Sequence, residues 1–386
     1  MYNIKVYNKI AKVGLDYFDD KYVIAEDVEE PVAALVRSAA LHEEQFPRSL
    51  LAIGRAGAGT NNIPVERCGS EGIVVFNTPS ANANAVKELT IAGLFLASRK
   101  VISAVEWAKG LKGNGAEVGK MVEKGKSAFS GPEIRGKKLG VIGLGAIGVL
   151  VANAANDLGM TVYGYDPYLS LQNAWNLSHN VIRATDMKEI FEKCDYITLH
   201  IPLTKDTKGT INKDALDKMK DGVRILNFAR DGLVDSDAML EALEGGKVAR
   251  YVVDFPTDEM IGVEGVIAIP HLGASTPESE DNCAVMAAKE LIDYIENGNI
   301  TNSVNFPNIS MQRSGDIRIC VIHKNIPNML TSITSAVAKD NVNIENLLNK
   351  SKGDLAYTMM DVQKCDVEAV KAHITSLDGV IRVRII

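Results

Sequence analysis

The sequence predicts an α/β protein: two doubly wound parallel-sheet domains followed by a smaller, ferredoxin-type βαββαβ domain. Three observations carry this reading. From Ile4 to Asn297 short β-favouring runs alternate with helical segments at the spacing of β-α units. One of those units, Lys138 to Asp166, holds a glycine fingerprint between its strand and its helix. Beyond the polar stretch Asn308 to Ser314, the order of elements changes to strand, helix, strand, strand, helix, strand.

The first domain opens with the runs Ile4 to Tyr7, Ala33 to Val36, Leu51 to Ile53 and Ile73 to Phe76, which read as parallel strands separated by polar or helical segments. Two loops directly follow predicted strands, where open α/β sheets place ligands: Gly54 to Thr60 (GRAGAGT) and Asn77 to Asn84 (NTPSANAN). Arg55, set among glycines, offers a planar fork to a carboxylate or phosphate, with neighbouring N–H groups as extra donors. A solvated loop arginine is the other reading of the same residue. Asn84 to Ser98 then predicts a mostly buried helix, with Asn82 or Asn84 near its cap.

At the centre stands KLGVIGLGAIGVLVANAANDLGMTVYGYD, Lys138 to Asp166. An apolar strand ends at Ile142; Gly143 makes the tight turn, Gly145 lets backbone approach a pyrophosphate, and Gly148 lets helix and strand pack closely. Ala146 and Ile147 open the helix, whose positive end would hold the phosphates. Asp166 lies 18 residues past Gly148, at the end of the next strand, placed to accept from ribose hydroxyls. A turn former ahead of Pro167 is the plainer reading of that aspartate. With no arginine beside the acid, a 2′-phosphate would meet uncompensated negative charge, so NAD is favoured over NADP.

Further β-α units follow: a helix over Met187 to Glu192, a strand over Tyr196 to His200, a helix over Lys213 to Met219, a strand over Arg224 to Asn227, a helix over Asp237 to Glu244 and a strand over Tyr251 to Asp254. Right-handed crossovers bring the strand ends to one edge. There fall His200 and Pro202, Ala229 and Arg230, Asp254, and a later loop with His271 and Gly273. Pro277 to Asn297 is a long amphipathic helix that carries the chain back to the first domain. The expected organisation is therefore 1–98 with 282–307, then 99–281 for the nucleotide, a linker at 308–315 and a tail domain at 316–386.

Composition narrows the function classes. A formal charge of −7 with no basic stretch argues against coating nucleic acid. No apolar span reaches membrane length. Five widely spaced cysteines, without a CxxC pair, read as buried thiols of a reduced compartment, which points to the cytoplasm. No metal-ligand spacing is present.

Oxidising a secondary alcohol needs a base for the hydroxyl proton, and His271 suits it near neutral pH. A carboxylate beside that ring would stabilise its protonated form, the part given to Glu259. Arg230 can hold a substrate carboxylate in two places and polarise the developing carbonyl. Taken singly, each has a plainer reading: a loop histidine, an acid in a surface stretch, an arginine paired with Asp231.

In this order and context, with GRAGAG, NTPSANANAVKEL, GVIGLGAIG, HIPLT, NFARDGLVD, DFPTDE and PHLGAST, the chain resembles the D-2-hydroxyacid dehydrogenase family over essentially its whole length. It is most similar to the phosphoglycerate-oxidising branch that carries a C-terminal ACT domain. The resemblance implies flavodoxin-like and Rossmann domains plus an ACT-like tail, NAD as cofactor, 3-phosphoglycerate as substrate and a homo-oligomer, dimer or tetramer. It also implies that Asp254 faces the nicotinamide carboxamide, that His200 and Pro202 line the adenosine side, that Ala229 and Gly273 border the cofactor, and that Arg55, Ala56, Gly57 and Asn84 contact the substrate. In the tail it implies an L-serine site from His323, Asn325 and Asn343. The chain departs from the family at Asp231, Met260 and Asn328, where glycine, proline and glycine are usual, and the loop from Glu259 to His271 is short. Other members acting on glyoxylate, hydroxypyruvate or lactate, and a catalytically silent NAD(H)-sensing protein, are the competing functions.

Overall fold

A computed structural model describes residues 1–339 and 341–386. The chain forms two units, Met1–Asn82 with Pro277–Ile386, and Ala83–Thr276.

In the first unit, β1 (Tyr2–Val6), β2 (Tyr22–Ala25), β3 (Ala33–Val36), β4 (Ala52–Arg55) and β5 (Val74–Asn77) form a parallel sheet in the order β2-β1-β3-β4-β5. β3 is buried along its whole length, as expected of a strand covered on both faces. The helix Pro277–Asn297 packs against β3, β4 and β5 and buries Ala284, Ala287, Ala288 and Leu291. Gly54 leaves room for this packing, since a Cβ there would sit 3.0 Å from Leu291.

The second unit places β6 (Lys138–Ile142), β7 (Thr161–Tyr165), β8 (Ile182–Arg183), β9 (Tyr196–Leu199), β10 (Val223–Asn227), β11 (Val248–Val253) and β12 (Val266–Ala268) in one parallel sheet, ordered β12-β11-β10-β9-β6-β7-β8. The order reverses between β6 and β9, and ligand crevices open at such a point, beyond the carboxyl ends of the strands. Helix starts here are written in side chains: Asp186, Asn212 and Asp235 each accept from the backbone N–H three residues on. The helix Ala83–Ser98 packs on the helix Ala146–Asp157 and on β10 and β11.

The tail belongs to the first unit. β13 (Ile317–Lys324), β14 (Ile344–Lys352), β15 (Leu355–Val362) and β16 (Val380–Ile385) form an antiparallel sheet ordered β14-β15-β13-β16. One face, with Ile319, Val321 and Met360, packs under the helices Met329–Ala338 and Val367–Thr375. The other face, with Cys320, Ile322, Tyr357 and Met359, joins the core of the N-terminal sheet beside Phe76, Tyr294 and Ile295. A sheet buried on both faces explains the nearly continuous apolar run of β13.

The class is the expected one, mixed α/β with two parallel layers and a small antiparallel domain. Several elements were not read beforehand: the edge strands β2, β8 and β12, and the helices Val101–Lys109 and Val118–Gly125, which bury no residue. Among the described residues, no helix is long and apolar enough to cross a membrane, and no cluster could hold a metal ion.

Candidate functional site

The glycine turn follows β6 at the strand-order reversal, and its three glycines have three different surroundings. Gly143 has φ +93°, and a Cβ there would lie 2.5 Å from the His200 carbonyl. At Gly148 a Cβ would fall 1.9 Å from the Gly143 carbonyl, so only glycine allows helix and turn to meet. Gly145 faces open space, with nothing within 4 Å of its hypothetical Cβ. That void lies at the first turn of Ala146–Asp157, whose cap, Gly145, offers no side-chain acceptor. The N–H groups of Ala146 and Ile147 therefore stand at an uncapped helix end, the arrangement that binds a pyrophosphate.

Asp166, just past β7, accepts from the Leu144 N–H at 2.8 Å and from the Tyr168 N–H at 2.8 Å. Its carboxylate thus ties its own turn to the glycine turn, and retains lone pairs for ribose hydroxyls. His200 closes the other side, its Nε2 3.0 Å from the Thr198 hydroxyl. Burial pushes this imidazole down to about 4, so it is neutral at physiological pH. Pro202 follows it on the surface, and its carbonyl accepts from the Thr207 hydroxyl at 2.6 Å.

The end of β10 is shaped by Asn227, a residue the sequence reading did not single out. Its Nδ2 donates to the Arg230 carbonyl at 2.9 Å and its Oδ1 accepts from the Ala229 N–H at 3.2 Å, closing the turn that presents Arg230. Arg230 is exposed, bonded through Nη1 to the Ala229 carbonyl. It forms no ion pair with Asp231, whose Oδ1 instead accepts from the Gly232 N–H at 2.8 Å. A buried asparagine inside a motif is the signal that would have found Asn227.

Asp254 stands just beyond β11, 0% exposed, with neither carboxylate oxygen meeting a hydrogen-bond partner among the described residues. Burial raises its carboxyl above the usual range, and the nearby His271 is the largest influence opposing that rise. The His271 ring packs on Phe255, with centroids 4.6 Å apart. Glu259 is not brought to that ring: it is exposed and makes no hydrogen bond or ion pair with His271, and its carboxyl is held below the usual range by its own backbone N–H and Thr257. The cause lies next door. Met260, where proline is usual, is 2% exposed and anchors the turn through its N–H to the Thr257 carbonyl, which leaves Glu259 on the outside.

In the first unit, Arg55 is half-buried at the end of β4 and folds over Gly57, where a Cβ would lie 1.9 Å from Nη1; Gly57 has φ +151°. The Ala56 N–H donates to Val36 and the Gly57 N–H to Arg55, so this loop is a fixed backbone frame. Asn8 was also passed over: its Oδ1 accepts from the N–H groups of Ser38 and Ala39 at 3.1 and 2.8 Å. Asn84, in the second unit, is exposed and donates to Glu88 at 2.9 Å.

The tail residues are divided. His323 is 2% exposed, with Nδ1 2.9 Å from the Lys324 carbonyl and Nε2 2.9 Å from the Thr358 hydroxyl. Asn325 and Asn343 are exposed, and Asn325 donates to the Gly353 carbonyl at 3.0 Å. Asn328 has φ +68°, so asparagine adopts the left-handed conformation glycine would supply.

Comparison with known proteins follows the same division. A family model described as D-isomer specific 2-hydroxyacid dehydrogenase, NAD binding domain, matches residues 93–273. A second, described as an AHAS small subunit-like ACT domain, matches residues 319–382. The D-3-phosphoglycerate dehydrogenase of Haemophilus influenzae is 33% identical over 349 residues, covering 87% of this chain and 81% of that protein. The D-3-phosphoglycerate dehydrogenase of Escherichia coli K12 is 30% identical over 427 residues, covering 98% of this chain and 100% of that protein. Among solved structures, the NAD+-bound 3-phosphoglycerate dehydrogenase of Entamoeba histolytica is similar with a TM-score of 0.60 and 26% identity, covering 79% of this chain and 98% of that one.

Proposed function

Because the chain belongs to the D-isomer specific 2-hydroxyacid dehydrogenase family, which are NAD-dependent oxidoreductases, we propose that it oxidises 3-phosphoglycerate to 3-phosphohydroxypyruvate, the first step of L-serine synthesis. The observation that carries this reading is the uncapped glycine turn at the strand-order reversal, in the same parallel sheet whose strands β10 and β11 end beside Arg230 and at buried Asp254. Bound NAD supplies the acceptor for the hydride that leaves the carbinol carbon.

The protein's own groups do the rest. His271 takes the hydroxyl proton on an imidazole nitrogen. Arg230 holds the substrate carboxylate and draws charge from the oxygen that becomes a carbonyl. Arg55, Ala56, Gly57 and Asn84 complete the substrate contacts in this reading, and Ala229 and Gly273 border the cofactor. Glu259 reaches the imidazole only by a shift of the Thr257–Met260 turn. The tail, on the same reading, takes L-serine at Asn325 and Asn343, with His323 contributing if its two bonds exchange. A homo-oligomer in the cytoplasm completes the proposal.

Steady-state formation of NADH decides the substrate. A higher kcat/KM for 3-phosphoglycerate than for glycerate, lactate or glycolate is expected; preference for an unphosphorylated acid would overturn the assignment. Added L-serine is expected to lower the rate.

The glycine turn supports a second expectation. Gly145→Ala should leave the melting temperature nearly unchanged, because its Cβ points into open space, yet weaken NADH binding by filling the pyrophosphate's approach. Gly148→Ala should lose stability as well as binding, because its Cβ meets the Gly143 carbonyl. Thermal melts and NADH fluorescence titrations on the two variants check the contrast.

A further inference from the structure

The first unit contains a concavity of about 500 Å³ that no residue assigned above to substrate, cofactor or serine lines. Its walls are the helix Pro277–Asn297, the Thr301–Asn302 turn and Ser80–Ala81. Glu290 sits in the helix wall, 7% exposed. Its Oε1 accepts from Asn302 Nδ2 at 2.7 Å, and Oε2 has no hydrogen-bonding partner among the described residues. A buried carboxyl oxygen left unmet is expensive, and the same helix buries Ala287 and Leu291 at neighbouring positions without such a cost. Burial pushes the Glu290 carboxyl up to about 8, with Asn302 resisting.

The charged groups lining this space all come from that helix, and none from Ser80–Ala81 or Thr301–Asn302. Asp293 lines it, its Oδ1 accepting from Asn297 at 2.9 Å and Asn299 at 3.1 Å. Lys289 lines it as well, but its Nζ lies 4.7 Å above the Tyr17 ring. The lining cation is thus engaged with an aromatic face, and two carboxyl groups remain.

We propose that this concavity is a binding site for a small molecule carrying a primary ammonium group, received by Glu290 Oε2 while Asn302 fixes the carboxyl. An ammonium brings three donors on a compact charge, and the wall answers with acceptors: Glu290, Asp293 and the hydroxyls of Ser80 and Thr301. Binding draws the proton off Glu290, since the ionised carboxylate is the form an ammonium favours. The site is independent of the dehydrogenase reading.

The test uses the full-length protein and n-butylammonium as probe, with 1-butanol and butyrate as neutral and anionic controls. Isothermal titration at neutral pH, in two buffers of different ionisation heat, is expected to show saturable butylammonium binding with net proton release, and neither control binding. Glu290→Gln should fold with a melting temperature no lower than the parent and bind the probe about tenfold or more weakly. Val285→Trp narrows the concavity with Glu290 in place and should also lose binding, a reading that stands if the glutamine variant misfolds. Absence of saturable binding at millimolar probe, equal affinity in Glu290→Gln, or equal binding of butyrate would each overturn the proposal.

Discussion

His271→Ala is expected to slow NADH formation from 3-phosphoglycerate by about 10²–10⁴-fold and to leave NADH binding nearly unchanged. A positioned general base contributes about 10²–10⁴-fold, so the loss should fall in kcat rather than in cofactor affinity. The separation is expected because the groups proposed to hold the pyrophosphate and ribose, the Gly143 turn and Asp166, are tied by hydrogen bonds from the Leu144 and Tyr168 N–H groups to the Asp166 carboxylate, none of which involves the imidazole. Steady-state rates paired with NADH fluorescence titration measure both quantities. Retained turnover would remove His271 as the base, and lost NADH binding would make it a structural residue instead.

Arg318→Met is expected to destabilise the protein by about 3–5 kcal/mol, the usual consequence of leaving one member of a buried ion pair uncompensated. Arg318 is 1% exposed and Asp361 0%. Nε and Nη2 of the arginine donate to the two carboxylate oxygens at 2.7 and 2.8 Å, and Nη1 donates to the Asn297 carbonyl at 2.9 Å, at the negative end of the long returning helix. Against a typical total of about 5–15 kcal/mol, the single change is a large fraction. The double variant Arg318→Met with Asp361→Leu should recover most of the loss, because no charge is then stranded. Urea unfolding followed by circular dichroism distinguishes the two; equal losses in both variants would show that the pair's packing, not its charge, holds the tail.

The same pair sets a pH dependence whose sign follows from its direction. Burial alone would raise the Asp361 carboxyl, but Arg318 and the Ser314 N–H outweigh it and hold it below the usual carboxylate range. Its stabilisation is therefore complete above the ordinary carboxylate pKa and lost as pH falls through the lowered value. In the double variant that acid-limb loss should shrink.

This pair belongs to a wider joint. Tyr357 donates to the Gly298 carbonyl at 2.8 Å, and Arg384 donates to the carbonyls of Tyr294 and Ile295 at 3.1 and 2.9 Å with its guanidinium 4.5 Å above the Tyr294 ring. Arg382 donates to the Leu50 and Glu71 carbonyls. The ACT-like tail is in consequence a third layer of the N-terminal lobe, sharing its core. The polar stretch Asn308 to Ser314 reads as a linker in the sequence, and within it Ile309 is paired with Ile300 and Met311 is buried. Linker composition describes solvation along the chain and says nothing of a partner surface that arrives from elsewhere.

What the sequence by itself determined is whatever rests on neighbours in the chain. The close packing at Gly148 was readable because the group its Cβ would meet, the Gly143 carbonyl, lies five residues back, and the helices after Asp186 and Asn212 were readable because their apolar pattern is local. The tertiary structure alone decided where the two carboxylates lie: Asp254 and Glu259 are equally acidic as letters, yet one is buried just past β11 while the other, beside buried Met260, is exposed. It alone decided, too, that Arg318 meets Asp361 and that Glu290 is left with an unmet oxygen. Burial and long-range pairing depend on which surfaces the folded chain brings together, and that is a property of packing in space rather than of order along the backbone.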